Sequence, residues 1–109
     1  FSPSVNVKES DHEFKLELAA PGLSKEDFKI NIENDMLNIS AEKKEEQATQ
    51  SEKYTRKEFS YASFKRTFTL PETADSEKIA AQYDNGVMTL VIPKKDEARP
   101  KPLREIKIS

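Results

Sequence analysis

The single histidine of this chain, His12, stands beside Asp11, and only there could the sequence build imidazole-driven proton transfer. A catalytic or metal-binding imidazole needs partners at set spacings, and none are visible, so His12 reads as a surface residue. The only glycines are Gly22 and Gly86. No serine can therefore sit in a Gly-x-Ser-x-Gly elbow, and no glycine-rich loop can cradle a phosphate. Without cysteine there is no thiolate nucleophile, disulfide or thiolate metal site, which fits a reducing, cytoplasmic compartment. Carboxylates abound, but Glu42, Glu45 and Glu46 lie in a mixed-charge run whose default is solvation. The expectation is a protein that is not an enzyme and uses no cofactor and no metal.

Two other arrangements point to binding. In an extended backbone, side chains at i and i+2 face the same way, so Ile106 and Ile108 form a two-pronged apolar hook. The hook ends a charged stretch, Glu97-Ala98-Arg99-Pro100-Lys101-Pro102, whose prolines favour an extended course. Such a terminus either frays or docks, and docking on another copy of the chain is expected. The second arrangement centres on Arg66, which by parity shares a strand face with Phe64, Phe68 and Leu70. Arg66 is either an edge arginine whose stem covers apolar surface or an interfacial arginine held by a carboxylate of a second subunit.

The elements that must position these residues are strands. Val5 and Val7 alternate with polar neighbours, as do Phe14, Leu16 and Leu18, then Phe28, Ile30 and Ile32, then Leu37, Ile39 and Ala41. Ile79, Ala81 and Tyr83 lead into Asp84-Asn85-Gly86, a strong hairpin signal. The run Val87–Ile92 is apolar on both faces and predicts a strand covered on two sides. Pro21-Gly22 breaks the chain, Asn34-Asp35 marks a turn, and Ser24 with Asp27 resembles a capping box good for one helical turn. Seven or so short strands of this kind indicate an all-β, immunoglobulin-like antiparallel β-sandwich. Residues 43–58 hold only Ala48 and Tyr54 as apolar side chains, so they are expected outside the sandwich as a long functional loop. Within that loop, 52–56 has strand character and could add to a sheet edge.

Size and charge agree. A domain of 109 residues buries roughly 65% of its unfolded surface around one core. Hydrophobic and charged residues each make up 35% of the chain, and the net charge is -2. That balance argues against a dedicated nucleic-acid or membrane-surface binder, which would carry a basic excess. No apolar run approaches the roughly 20 residues that span a bilayer. Because the chain begins at Phe1, a preceding segment is expected.

Taken in order, several motifs resemble the α-crystallin domain of small heat-shock proteins, of the bacterial and plant type. Ala81-Gln82-Tyr83-Asp84-Asn85-Gly86-Val87-Met88 is similar to that family's Ala-x-x-x-Asn-Gly-Val-Leu signature. Phe64-Lys65-Arg66-Thr67-Phe68-Thr69-Leu70-Pro71 resembles its Phe-x-Arg-x-Phe-x-Leu-Pro strand, and Ile106-Lys107-Ile108 its Ile-x-Ile tail. Met88 replaces the usual leucine, and Ala62-Ser63 stands where a glycine is common. The resemblance implies an α-crystallin domain over 1–95, with 43–58 as a strand-exchange loop, a C-terminal extension over 96–109, and an N-terminal arm outside this sequence. It implies an ATP-independent holdase whose partners are itself and non-native client proteins. It further implies a dimer interface with Val5, Val7, Tyr54, Arg56 and Arg66, and a groove with Ile30, Ile32, Ile79 and Ala81 that receives the tail. Two other classes remain open: a β-sandwich interaction module like the co-chaperone domains, and a hydrolase using paired carboxylates.

Overall fold

A computed structural model describes the backbone of residues 3–47 and 57–109, and the side chains of 3–43 and 63–109. Seven strands follow one another: β1 (Ser4–Glu9), β2 (Glu13–Ala19), β3 (Phe28–Glu33), β4 (Met36–Gln47), β5 (Lys57–Thr69), β6 (Ala80–Asp84) and β7 (Val87–Pro93). They form two antiparallel sheets, one in the order β1-β2-β7-β6 and the other β3-β4-β5. The capping box predicted at Ser24 is present and opens a single 3-10 turn, Lys25–Asp27. The Ser24 N–H donates to Asp27 Oδ2 at 2.8 Å, and the Asp27 N–H donates back to the Ser24 carbonyl at 3.0 Å.

Alternation decides which side chains face inward. Leu16 pairs across the ladder with Leu90, and Leu18 with Met88, so all four project from one face of the first sheet. Ile39 and Leu37 do the same from β4, and Leu18, Leu37, Ile39 and Leu90 are fully buried between the sheets. Fully burying side chains of this size contributes about 1.5–3 kcal/mol each before conformational entropy is subtracted. No polar or charged residue is buried among the described residues.

Both tight hairpins use left-handed backbone. Asn34 and Asp35 have φ of 52° and 60°, and Asn85 and Gly86 have φ of 50° and 79°. This pattern of two successive positive φ values matches the right-handed twist of the strands. At Gly86 the space is also restricted, since an added Cβ would lie 3.2 Å from Pro21 Cα.

Two expectations need correction. The β7 strand is not covered on both faces: Met88, Leu90 and Ile92 are buried, but Val87, Thr89 and Val91 are only half-buried. They lie on the outer side of the first sheet, shielded by neighbouring side chains and not by a second layer. The segment 43–58 is likewise not wholly outside the strands. Its ends continue β4 and β5, with a register shift between Lys43 and Lys44 and pairing as far as Gln47 with Lys57. The part over 52–56, with Tyr54 and Arg56, lies outside the described residues.

Candidate functional site

Two edges and the tail carry the residues of interest. The first edge is where β3 and β6, outer strands of opposite sheets, border a cavity of about 180 Å³ lined by Lys25, Phe28, Ile30, Ala81, Tyr83 and Met88. The turn after Ser24 delivers Phe28 to the first position of β3, and alternation then brings Ile30 to the same side. Tyr83 is held at both ends. Its hydroxyl donates to the Ala20 carbonyl at 2.6 Å, and its ring lies 4.8 Å from that of Phe28 at a 48° tilt. Phe28 in turn meets Phe64 edge-on at 6.1 Å. Such ring pairs add stabilisation beyond simple area burial.

Of the residues expected in a groove, Ile30 and Ala81 line this cavity. Ile32, the next inward residue of β3, does not and is 39% exposed. Ile79 precedes β6 and packs against the core from a half-buried position. Phe28, Tyr83, Lys25 and Met88, which also line the cavity, are not among the residues the sequence assigns to a groove. Parity was the available signal for two of them, because Phe28 shares a face with Ile30, and Tyr83 with Ala81. Asn85 and Gly86 form the turn, Val87 opens β7 and Met88 follows at the cavity wall, and the Gly86 carbonyl accepts from the Ala20 N–H at 2.8 Å.

The second edge is formed by β1. Val5 packs against the core, whereas Val7, on the same inward face, is 61% exposed. A cross-strand ion pair, Lys8 Nζ to Glu17 at 2.9 Å, fastens β1 to β2. The hydrogen bond and charge of Lys8 hold the Glu17 carboxyl below its ordinary range. At the far end of β1, Lys94 Nζ donates to Glu9 Oε2 at 2.8 Å and lies 5.1 Å from the Phe14 ring centroid.

Arg66 lies on β5, the outer strand of the other sheet, at the position paired with fully buried Ile39. Its half-buried guanidinium-bearing side chain has no ion-pair or hydrogen-bond partner among the described residues. A desolvated arginine without a carboxylate is costly, so partial exposure is what makes the position tolerable.

The tail leaves the body gradually. The Lys95 N–H donates to the Thr73 carbonyl at 2.8 Å, and Arg99 Nε turns back to the Lys94 carbonyl at 2.9 Å. From Pro100 onward every residue is exposed, with Ile106 at 79% and Ile108 at 93%. His12 is exposed, and its backbone carbonyl accepts from the Lys94 N–H. Among the described residues, no three His, Cys, Asp or Glu side chains converge as a metal site would require, and no helix is long and apolar enough to cross a membrane.

Comparison with known proteins agrees with this architecture. The family model described as Hsp20/alpha crystallin family matches residues 6–109. Spore protein SP21 of Stigmatella aurantiaca is 34% identical over 101 residues, covering 93% of this chain and 60% of that protein. Small heat shock protein C2 of Rickettsia felis is 33% identical over 97 residues, covering 89% and 63%. The chain thus spans about three-fifths of the length of these curated relatives. Among solved structures, a small heat-shock protein from Xylella fastidiosa superimposes with a TM-score of 0.70 at 33% identity, covering 100% of this chain and 97% of that one. With its two-sheet sandwich, its Asn-Gly hairpin and this match over nearly its whole length, the chain belongs to the Hsp20/alpha crystallin family of small heat-shock proteins.

Proposed function

We propose that this chain is an ATP-independent holdase that keeps unfolding proteins from aggregating and assembles with copies of itself into larger oligomers. One observation carries the reading: the apolar hook Ile106/Ile108 stands exposed, while the same molecule bears an apolar cavity at Phe28, Ile30, Ala81 and Tyr83. A chain with both halves of a contact assembles head to tail with its copies. Burying each isoleucine contributes about 1.5–3 kcal/mol before the cost of ordering the tail. A single contact is therefore weak, and several within one assembly hold by effective concentration while each still exchanges. Grooves vacated by exchange are the apolar surface offered to client proteins. In this reading 1–95 is the domain and 96–109 the extension that joins its neighbours.

The basic unit is a dimer made by strand exchange, in which 52–56 of one copy pairs along β1 of its partner. The outer edge of β1 and the Arg66 side chain, neither of which has a partner among the described residues, and the exposed Val7 favour that arrangement, with Tyr54 and Arg56 on the incoming strand. A cytoplasmic setting accords with the absence of cysteine.

Light scattering across protein concentration tests the assembly. Replacing both Ile106 and Ile108 with alanine is expected to leave dimers and dissolve larger species. An unchanged mass distribution refutes tail docking. The holdase activity is tested separately, by whether the chain without ATP suppresses aggregation of a model protein unfolding on heating.

A further inference from the structure

We propose that Met88 is an oxidation site of this chain: hydrogen peroxide entering the cavity between β3 and β6 converts it to methionine sulfoxide, which turns that cavity from apolar to polar. The effect on assembly rests on the tail-docking reading above, whereas the oxidation itself does not.

The chain holds two methionines and no cysteine, so sulfur oxidation can fall only on Met36 or Met88. Their surroundings differ. Met36 opens β4 between Glu33 and Thr69, and its Sδ accepts from the Thr69 hydroxyl at 3.4 Å. It points away from the core, so a sulfoxide there joins polar neighbours and disturbs nothing packed. Met88 stands where the family signature has leucine. It is 3% exposed and pairs across its two ladders with Leu18 and Tyr83. Yet it lines the cavity of about 180 Å³, together with Lys25, Phe28, Ile30, Ala81 and Tyr83. A water needs only about 10–15 Å³ of such space, and hydrogen peroxide is little larger. The unbranched methionine chain is flexible enough to turn its thioether toward that space. A leucine would fill the position with nothing to oxidise.

The reaction needs no other group. A sulfur lone pair attacks one peroxide oxygen and the O–O bond breaks. Sulfur gives up an electron pair and becomes the sulfoxide, while the departing hydroxide takes the proton from the transferred oxygen and leaves as water. Methionine sulfoxide reductases reverse the change with a thiol reductant. The new S=O is a strong acceptor, and burying it without a donor is costly. Phe28, Ile30 and Ala81 carry no side-chain donor, and the Tyr83 hydroxyl is committed to the Ala20 carbonyl at 2.6 Å. Among the lining residues that leaves the exposed Lys25, so the oxygen draws in its ammonium group or water. Either way, an apolar side chain entering the cavity meets a hydrated dipole.

The test treats three forms of the whole chain with dilute hydrogen peroxide: the chain itself, Met36→Leu and Met88→Leu. Peptide mass mapping follows the added oxygen at each site, over urea concentrations below the unfolding transition. Light scattering reads the protein concentration at which larger species form, before and after treatment. Met88 should oxidise at a rate that urea leaves unchanged, because the cavity and not unfolding admits the peroxide. In Met36→Leu, oxidation should raise the assembly concentration about tenfold, and reductase treatment should restore it. Met88→Leu should be unmoved by peroxide. An oxidation rate at Met88 that climbs with urea in step with global unfolding overturns the cavity route. Loss of the folded circular dichroism signal on oxidation overturns a change confined to the cavity. So does an unaltered assembly concentration after Met88 is oxidised, provided that alanine at both Ile106 and Ile108 has dissolved the larger species. If that double variant assembles normally, tail docking falls and with it the effect on assembly, while mass mapping still decides the oxidation site.

Discussion

The β3/β6 edge and the β1 edge are both open strand edges of the same sandwich, yet they are finished differently. At β3/β6 the side chains are apolar, mutually braced and arranged around a cavity, with Tyr83 and Phe28 locked in place. At β1 the outer backbone edge pairs with no other strand among the described residues, Val7 is exposed, and the strand is secured from its other side by ion pairs at Lys8 and Glu9. One edge offers a shaped hole, suited to a side chain. The other offers a row of free N–H and C=O groups, suited to a whole strand. In the proposed assembly the two edges would therefore serve two independent chemistries: weak apolar insertion at one and stronger backbone pairing at the other.

Breaking the first edge alone should have the largest effect. Ile30→Glu puts a carboxylate into the cavity lining, where no cation can pair with it except by recruiting Lys25. Larger assemblies should vanish at all practical concentrations, while dimers persist in sedimentation or light scattering. Loss of the dimer as well would show that the two edges are not independent.

A smaller effect sharpens the second edge. Arg66 has no described partner within its own chain, so Arg66→Met should leave the melting temperature of the dissociated chain nearly unchanged or slightly raised. If a partner's carboxylate holds the guanidinium, the same change should weaken dimerisation by about 1.5–3 kcal/mol, the usual value of a charge-assisted hydrogen bond. A dimer of unaltered affinity would make Arg66 a simple edge residue whose stem covers apolar surface.

Acidification should have the smallest effect. The folded-state pKa of Glu17 is depressed by Lys8, so the pair favours the folded β1–β2 ladder above the ordinary carboxylate range. That contribution should disappear as pH falls from the ordinary range through the lowered folded value. Amide exchange on β1 should accelerate over that interval, and Lys8→Ala should remove the pH dependence. Screening at this half-exposed site keeps the effect small.

Much of the sandwich was legible because its signals are local. The alternation of Phe14, Leu16 and Leu18, the Asn85-Gly86 turn and the Ser24/Asp27 capping box each act within a few residues, and each appears where expected. Of the residues lining the cavity at the β3/β6 edge, Ile30 and Ala81 were expected at a groove from resemblance, but Phe28 and Tyr83 were not. Tyr83 owes its place to a hydrogen bond with Ala20, 63 residues earlier. No short window of sequence contains that partnership. The stretch Val87–Ile92 misled for a related reason. Its outward residues are apolar, yet nothing in a strand's own composition says whether a second layer lies over it.

The sequence alone, then, determined the period-2 faces, the turn positions and the apolar hook at Ile106 and Ile108. These depend on side-chain parity, left-handed backbone preference and residue chemistry, all of short range. Only the tertiary structure decided which inward residues became core and which became the wall of a cavity. It also decided that Arg66 stands half-buried across from Ile39 with no partner among the described residues, and that Val87, Thr89 and Val91 remain half-open. Those outcomes depend on which strand pairs with which and on how far one sheet extends over the other. Such pairings join residues distant in the chain, so their energies cannot be read from neighbours in sequence.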